Sequence, residues 1–527
     1  MKSNFFKYVF IIFVVIIVIF AIYMIYFNNK EKQNNVEENI VEEVTQIKDI
    51  RLGISNFDTI NPIATKNKEV LNVSKLIFEP LMEIDENYRI KNCLATECSK
   101  ISNTSYIIKI DNDVKWHNGN PLLAKDIQYT IEKLKEGNSI YSSNVEKIEN
   151  VEVLDTNTVR INLTEEEPFF EYNLIFPILP SMYYVGEDIY TSTKTPIGTG
   201  MYKIESINSS EIKLVKNEKW WNIKNKNAKV ETIQIKIYSE VGEVYNSFKL
   251  GKVDIITTAN TNLEEYIGTI GYSKTEIKGR QFDYLAFNCQ NNILQDKNVR
   301  KAINYAIDKN NIVSSIYNNQ CYTSEFPLDY GSYLYESEKK IEYNQEQFKN
   351  ILQENGWEYK NKYWQKTENY KTKRLKFTII VNRNDEKRVS VAENIKKQLE
   401  EVGIRITIQK VSEATYKQIL ENKNYEIIIT GVYNSYSPNL ETFFGDNNLQ
   451  NYNSEELSKL LTEVKNTNEE KIVAEKYKKI INIYNEEQPF ISLYRNKITI
   501  VKSQNLTGKI TGNNYFSYYG IEEWYRK

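Results

Sequence analysis

The segment Tyr425–Pro438, YEIIITGVYNSYSP, sets the expectation for the fold. Its residues Ile427, Ile428 and Ile429 are three consecutive β-branched residues, a pattern typical of a strand that is buried on both faces. The predicted strand ends at Gly431, and the following residues are aromatic and polar. In open α/β sheets, ligands bind beyond the carboxyl ends of the strands. The segment therefore predicts either a ligand-facing loop or an ordinary polar exit loop with surface tyrosines.

The residues that precede this segment alternate between strand and helix patterns. The expected elements are a strand, a helix, a strand and a short helix, at Leu375–Val381, Val389–Val402, Ile404–Ile408 and Tyr416–Leu420. Such alternation is typical of an open α/β sheet. In the N-terminal half, turn residues between alternating apolar runs predict hairpins at 151–163 and 202–215.

Length and composition exclude several classes of protein. A chain of 527 residues is too long for one hydrophobic core, so two or three domains are expected. With 68 basic and 70 acidic residues the net charge is −2, which argues against a nucleic-acid partner. A single histidine excludes a multi-histidine metal site. Cys93 and Cys98 could form a small disulfide in an oxidising medium, or both could be free thiols.

The sequence gives no positive support for an enzyme. It contains none of the phosphate-loop, dinucleotide-binding, nucleophile-elbow or zinc-helix motifs. Cys289 and Cys321 have no histidine nearby in the sequence to activate them. His117 lies in a predicted turn and is expected to be a surface or capping residue. We therefore expect no catalytic residue, no metal and no cofactor.

The N-terminus carries an unbroken apolar run, Tyr8–Phe27. Roughly 20 helical residues at ~1.5 Å each are long enough to span the ~30 Å hydrocarbon core of a membrane. The run is longer than the apolar core of a cleaved signal peptide, and no small residues mark a cleavage site. We therefore predict a cytoplasmic N-terminus at 1–7, a transmembrane signal-anchor at 8–27 and a flexible tether at 28–47.

Several short segments occur in the order seen in one known family. Together they resemble the family 5 extracytoplasmic solute-binding proteins of ABC importers, the oligopeptide, dipeptide and nickel-binding group. The segments that carry the resemblance are Ile77–Leu81, Trp116–Tyr129, Pro196–Tyr202, Asn217–Trp221, Leu250–Asp254, Phe287–Asn288 and Val299–Asp308.

The resemblance implies an α/β, two-lobe periplasmic-binding-protein-like fold of type II, cluster C, with an extra subdomain. Lobe one would combine 48–84, 186–279 and 490–527, with 85–185 as a subdomain attached to it. Lobe two would be 280–489. The chain would cross between the lobes near Gly279–Phe282 and Pro489–Leu493.

The same resemblance implies a function in solute uptake. A peptide or other small solute would lie between the lobes, pair with the protein backbone as an added strand, and be buried when the lobes close. The closed protein, a monomer outside the cell and attached to the membrane by its N-terminal helix, would then dock on ABC permease subunits with their ATPases. The ligand-binding residues implied by similarity are Lys66, Asn67, Lys68, Tyr416, Gly431, Val432, Tyr433, Asn434, Ser435 and Tyr436.

The sequence departs from the family in the loop after the quoted strand. Many peptide binders of the family have Gly-Trp-x-x-Asp-Tyr there, and the aspartate holds the ligand's α-ammonium. Val432 and Ser435 replace the tryptophan and the aspartate. Because a buried ammonium without a counter-charge costs several kcal/mol, either Glu441 or Asp329 takes that role or the ligand is not a free-amine peptide. A membrane-tethered peptide-sensing receptor, a surface protein that kept the fold without transport, and a tethered hydrolase are the alternatives.

Overall fold

The computed structural model describes residues 14, 17–26, 49–259, 263, 267–268, 271–336, 340–467 and 469–527. Within these ranges, none of the helices has the length and apolar character that crossing a membrane requires. The predicted span Tyr8–Phe27 lies partly outside the described residues. Its described positions, 14 and 17–26, are helical with exposed side chains. The predicted segments 1–7 and 28–47 lie wholly outside the described residues.

The first half of the described chain is rich in strands. Strands β1–β11 are Asp49–Ser55, Met82–Ile84, Ile90–Asn92, Ala95–Ser102, Ser105–Ile110, Ile148–Val153, Thr158–Leu163, Tyr202–Ile207, Glu211–Lys216, Thr232–Tyr238 and Ile255–Thr258. Helices α1–α4 are Lys68–Ser74, Ala124–Glu136, Ser142–Val145 and Val241–Lys249, and 3-10 turns lie at Phe170–Asn173 and Ser181–Tyr184. The pairs β6–β7 and β8–β9 are antiparallel, which confirms both predicted hairpins.

The second half alternates strands and helices. Strands β12–β22 are Tyr272–Phe287, Cys321–Thr323, Glu358–Lys360, Tyr363–Glu368, Lys371–Arg374, Lys376–Asn382, Arg405–Val411, Ile427–Tyr433, Phe490–Ser503, Leu506–Thr507 and Tyr525–Arg526. Helices α5–α12 are Lys297–Tyr305, Lys309–Tyr317, Gln345–Glu354, Glu386–Glu401, Glu413–Asn422, Glu441–Phe444, Glu455–Lys465 and Glu470–Glu487, and Ile521–Glu523 is a 3-10 turn.

One large sheet connects the two lobes. Among the described residues it has eleven strands, in the order β18-β17-β19-β12-β20-β11-β1-β10-β9-β8, with β13 added to β20. Its two central strands, β12 and β20, are 16 and 14 residues long and run antiparallel to each other. Strands β11, β1, β10, β9 and β8 extend from them on the side of lobe one, and β19, β17 and β18 on the side of lobe two. The chain is therefore an α/β protein of two lobes.

The ladder between β12 and β20 is interrupted where the chain passes between the lobes. Pairing is regular up to Lys278 and resumes at Phe282, which lies opposite Arg495. A Cβ atom on Gly279 would lie 1.9 Å from the Asn496 side-chain oxygen, so this close approach requires glycine. The same oxygen accepts a hydrogen bond from the backbone N–H of Gln281 at 3.0 Å. The lobe boundaries assigned from the sequence stay predictions.

Strand β19 is buried on both faces, as its three isoleucines predict. Ile427 and Ile429 belong to one apolar cluster of lobe two and Ile428 to the cluster on the opposite face, each with 0% exposure. Burying each side chain contributes about 1.5–3 kcal/mol to folding. The predicted end at Gly431 is wrong. The strand continues to Tyr433, because its last three residues pair with Gln281–Asp283 of β12.

The predicted βαβ unit of lobe two is confirmed. Strands β17 and β18 are parallel and are joined by α8, and β19 is parallel to β17. Helix α8 begins where the Asp385 side chain accepts a hydrogen bond from the Arg388 backbone N–H at 3.0 Å. It ends before Gly403, which has a φ of +91° that few other residues adopt. The unit thus places β19 beside the strands that join the lobes.

A separate four-stranded sheet, in the order β4-β5-β7-β6, carries α2 on one face. Asp126 fixes the start of that helix, since its carboxylate accepts hydrogen bonds from the Leu123 backbone at 2.9 Å and from the Ser181 hydroxyl at 2.6 Å. Cys93 and Cys98 are both free thiols, which decides between the two alternatives left by the sequence.

Candidate ligand-binding cleft

A cavity of about 660 Å³ lies where the two lobes meet. This volume is within the range of cavities that bind small molecules. Residues from lobe one, from both joining strands and from the end of β19 form its walls. They include Lys66, Lys68, Glu69, Lys75, Tyr141, Val244, Tyr245, Arg280, Asn496, Tyr433, Tyr436, Asn514 and Tyr515. Because both lobes contribute walls, a molecule in this cavity would contact both.

Arg280 of β12 lies between two tyrosines at the lobe-two wall. The carbon of its guanidinium group is 3.5 Å from the ring centre of Tyr436 and 4.5 Å from that of Tyr433. Each such cation–ring contact contributes about 0.5–2 kcal/mol. Arg280 also donates a hydrogen bond from Nη1 to the Asn434 carbonyl at 2.5 Å and accepts one from the Asn434 N–H at 2.9 Å. These bonds hold the loop after β19 against the joining strand.

The ring contacts continue from Tyr436 into lobe one. The Tyr436 and Tyr515 rings are perpendicular, with centres 5.3 Å apart, and Lys75 Nζ lies 4.7 Å from the Tyr515 ring centre. At the other end, Lys68 Nζ lies 5.3 Å from the Tyr433 ring centre. We call this set of six residues the cation–ring array: Lys68, Tyr433, Arg280, Tyr436, Tyr515 and Lys75. It begins and ends beside α1, at Lys68 and Lys75, and passes along the cavity wall through Tyr433 and Tyr436, which come from lobe two.

Lys75 is a lysine in an unusual environment. Burial, and to a smaller extent the nearby positive charge of Arg280, lowers its pKa to about 8. Lys75 follows directly after Ser74, the last residue of α1. Lys66, in the short loop before α1, and Lys68, the first residue of α1, line the same wall. Three ammonium groups and one guanidinium group therefore line one cavity.

Asn67 determines the position of this wall without lining the cavity. Its side-chain oxygen accepts a hydrogen bond from the Glu69 backbone N–H at 2.9 Å, and its amide donates one to the Ser55 carbonyl at 2.6 Å. Glu69 supplies the carboxylate of the lining. Its Oε2 accepts bonds from Ser55, at 2.5 Å from the backbone N–H and 3.1 Å from the hydroxyl, while burial raises its pKa.

The structure brings four of the ten residues named from the sequence to the cavity: Lys66, Lys68, Tyr433 and Tyr436. Tyr416 is buried, and its hydroxyl donates a hydrogen bond to the Ile429 carbonyl at 2.7 Å. Val432 packs in the aromatic cluster of lobe two, and Ser435 is exposed away from the lining. The Asn434 amide is buried and donates a hydrogen bond to the Pro327 carbonyl.

Gly431 lies over a buried ion pair instead of the cavity. A Cβ atom there would be 2.2 Å from Asp283 Oδ1 and 2.3 Å from Arg388 Nη2. Arg388 donates two hydrogen bonds to the Asp283 carboxylate, at 2.7 and 2.9 Å. The glycine is therefore required by packing.

The two carboxylates suggested from the sequence as partners for a ligand amine have other partners. Asp329 is 4% exposed, forms an ion pair with Arg495 and accepts hydrogen bonds from the Ser324 hydroxyl at 2.9 and 3.0 Å. Glu441 forms an ion pair with Lys465. Neither residue lines the cavity.

Among the lining residues that sequence reasoning missed are Lys75, Arg280, Asn514 and Tyr515. Arg280 follows Gly279 within the predicted crossing, so a long cationic side chain at a lobe junction was a usable signal. The aromatic segment Tyr515–Tyr519 was another. Nothing in the local pattern of Lys75 distinguishes it from other lysines that follow a helix.

His117 has a structural role. Its Nδ1 accepts a hydrogen bond from the Gly198 N–H at 3.2 Å, and its Nε2 lies 3.1 Å from the Gly200 carbonyl. Burial lowers its pKa to about 4, so the ring is neutral at pH 7. His117 thus fixes a turn by binding backbone groups instead of acting as a base.

Comparison with known proteins identifies the family. Residues 89–455 match the family described as bacterial extracellular solute-binding proteins, family 5 Middle. The match covers more than half of the chain, and the chain belongs to this family. The resemblance found in the sequence is confirmed, and members of the family are solute-binding proteins, not enzymes.

One curated relative is the oligopeptide-binding protein AppA of Bacillus subtilis (strain 168). It is 22% identical over 489 residues, which are 88% of this chain and 89% of AppA. The murein tripeptide-binding protein MppA, in an unliganded open form, is a structural relative with a TM-score of 0.78 at 18% identity, covering 91% of this chain and 97% of MppA.

A nickel ABC transporter structure from Bacillus halodurans is equally similar in fold. Its TM-score is 0.77 at 20% identity, and the match covers 91% of this chain and all of the other. These likenesses establish the two-lobe periplasmic-binding-protein-like fold. They do not discriminate between peptide and nickel ligands, because the two scores are nearly the same.

Proposed function

We propose that this protein is the substrate-binding component of an ABC importer and captures a peptide-like solute between its lobes. The observation that carries the proposal is the cavity of about 660 Å³ with walls from both lobes and from the two strands that join them. A solute that contacts both walls stabilises the closed arrangement, because it binds that arrangement better than an open one. The closed protein would then deliver the solute to a membrane permease.

A peptide-like solute fits the character of the walls. They combine tyrosine rings and aliphatic side chains, such as Tyr245 and Val244, with amide groups, such as Asn496 and Asn514. Rings provide contact area without demanding one side chain, and amides bind backbone groups of an extended chain. The curated name of the relative AppA, an oligopeptide-binding protein, is consistent with this choice.

We further propose that the run Tyr8–Phe27 attaches the binding lobes to the cell membrane. Its support is the sequence: 20 apolar residues without a charge. The binding lobes would lie outside the cell, as in the bacterial extracellular family to which the chain belongs. Fractionation of cells that express the full chain and a chain starting at residue 48 tests the anchor. Membrane association of both forms would argue against it.

The binding proposal is tested by calorimetric titration of the full-length protein with a mixture of tripeptides of random sequence. Tyr433→Ala removes a ring that is 52% exposed at the cavity wall, and we expect it to weaken binding about tenfold. Tyr343→Ala, a matched control in lobe two with a 43% exposed ring away from the cavity, should bind like the wild type. Equal losses in both variants, or no binding by the wild type, would overturn the proposal.

A further inference from the structure

The formal charges that line the cavity are strongly unbalanced. Lys66, Lys68, Lys75 and Arg280 contribute four positive charges, and Glu69 contributes one negative charge. The whole chain, in contrast, has a net charge of −2, so the positive excess belongs to the cavity and not to the protein in general. A cavity lined in this way attracts anions and repels cations.

The central cation of the array has no counter-ion within the part of the chain that the structure describes. Arg280 is 9% exposed, and no carboxylate oxygen of a described residue lies within 4.0 Å of its guanidinium nitrogens. Its Nε has no hydrogen-bond partner, while Nη1 is used by Asn434. A buried charge without a partner is strongly unfavourable, and contacts with rings offset only part of that cost. Arg280 can therefore pair with an anionic group of a ligand.

Lys75 supplies a second cation at the other end of the same ring pair. Its ammonium group contacts the Tyr515 ring at 4.7 Å, and neither a hydrogen bond nor an ion pair connects it to another described residue. Since Tyr515 contacts Tyr436 and Tyr436 contacts Arg280, the two cations face the same part of the cavity. One anionic group of a ligand would lie beside both.

Among the described residues that line the walls, no carboxylate is placed as a matching site for an ammonium group. Ser435 replaces the family's aspartate and is exposed, and Asp329 and Glu441 bind Arg495 and Lys465 elsewhere. The lining carboxylate, Glu69, already accepts two hydrogen bonds from Ser55. The cavity is thus built for a negative group and not for a free amine.

We propose that the solute carries a carboxylate that binds between Lys75 and Arg280. Arginine offers a planar fork of donors that matches a carboxylate, and Arg280 lines the cavity without an ion-pair partner among the described residues. Lys75 adds a further donor from the Tyr515 end of the Tyr436–Tyr515 ring pair. This inference rests on the proposed function, since it names the chemical class of the solute that the cavity takes.

The test compares two probes in calorimetric titrations of the full-length protein. Both are tripeptide mixtures of random sequence with acetylated N-termini and without acidic residues; one has free C-terminal carboxylates and the other has C-terminal amides. We expect the carboxylate mixture to bind at least about tenfold more tightly. Equal binding of both mixtures would overturn the carboxylate inference and leave the proposed function standing. Binding of neither would count against both.

Variants assign the effect to the two cations. Lys75→Met should reduce the preference for carboxylate over amide about tenfold. Lys349→Met, which removes an exposed lysine of lobe two, is the matched control and should keep the full preference. Arg280→Gln is a second variant, read together with circular dichroism because Arg280 also holds the loop after β19. A full preference retained in Lys75→Met and in folded Arg280→Gln would refute the inference.

Discussion

Tyr436, in the loop after β19, donates its hydroxyl hydrogen to the backbone carbonyl of Asn514 at 2.7 Å. Asn514 belongs to the C-terminal segment, and its amide in turn donates to the Lys278 carbonyl at 2.5 Å and contacts the Tyr88 hydroxyl at 3.0 Å. A lobe-two loop is therefore hydrogen-bonded to residues that pack on lobe one. This bond closes one side of the cavity.

We predict that Tyr436→Phe weakens solute binding about 2- to 10-fold. The ring stays in contact with Arg280, but the hydrogen bond to Asn514 is lost, and such a bond contributes about 0.5–1.5 kcal/mol. Titration calorimetry with the tripeptide mixture measures the change, and small-angle scattering reports whether the free protein is more open. Tyr343→Phe serves as the control. An unchanged affinity would show that the bond does not contribute to closure.

Tyr416→Phe should have the opposite pattern. The Tyr416 hydroxyl binds the Ile429 carbonyl inside lobe two, so its removal leaves a buried acceptor without this donor. We expect the free energy of unfolding to fall by about 1 kcal/mol while solute affinity stays within twofold of the wild type. Urea titration and calorimetry measure the two quantities. A loss of affinity without a loss of stability would place Tyr416 in the site after all.

The ion pair beneath Gly431 should be structural. Asp283 is 4% exposed and accepts two hydrogen bonds from Arg388 and one from the Tyr494 hydroxyl at 3.0 Å. Asp283→Asn leaves the Arg388 charge with a weaker partner, and we expect a loss of about 3 kcal/mol in the free energy of unfolding. Glu393 lies on the same helix as Arg388 and forms an exposed ion pair with Lys410 of β18. In Glu393→Gln the loss in the free energy of unfolding should stay below about 1 kcal/mol. Equal effects in urea titrations would contradict this assignment.

Glu79 should make stability depend on pH near neutrality. It is 8% exposed, and burial raises its pKa from 4.5 to about 7 despite hydrogen bonds from Trp221 at 2.8 Å, Thr199 at 2.7 Å and Trp220 at 3.0 Å. A carboxyl group with a raised folded-state pKa stabilises the fold below its unfolded pKa, and this contribution is lost as the pH rises through the folded pKa.

Between about pH 5 and pH 8, the free energy of unfolding of the wild type should therefore fall by up to about 3 kcal/mol relative to Glu79→Gln. Urea titrations at several pH values measure the difference. Parallel profiles of the two proteins would show that Glu79 is already charged at pH 5.

The sequence predicts best the elements whose cause is local. The isoleucines of β19 show its double burial directly, and the period of α8 and the glycine after it show where that helix lies. Gly431 was misread because a glycine in a strand pattern usually marks its end. Here it makes room for Asp283 and Arg388, which are 105 positions apart in the chain and are brought together only by the fold.

The candidate site was predicted less completely for the same reason. Tyr433 ends β19 and Tyr436 follows it, at a position that sequence rules associate with ligands. Lys75 and Arg280 acquire their importance from each other and from Tyr515, and no local pattern connects the three. Ser435, where many members of the family have an aspartate, indicated that a ligand amine would need another partner or that the ligand has no free amine. The excess of positive over negative side chains along the described cavity walls could not be predicted, because only the fold brings these residues together.

The antiparallel strands β12 and β20 also have a mechanical consequence. The two lobes are joined by paired antiparallel strands. Twisting one lobe against the other would break hydrogen bonds of this ladder, whereas bending where the ladder is irregular would break few. The ladder between β12 and β20 is irregular at 279–281, opposite Asn496, and again between Asp283 and Tyr284. We expect flexing between the halves to concentrate at these irregular positions, beside Arg280.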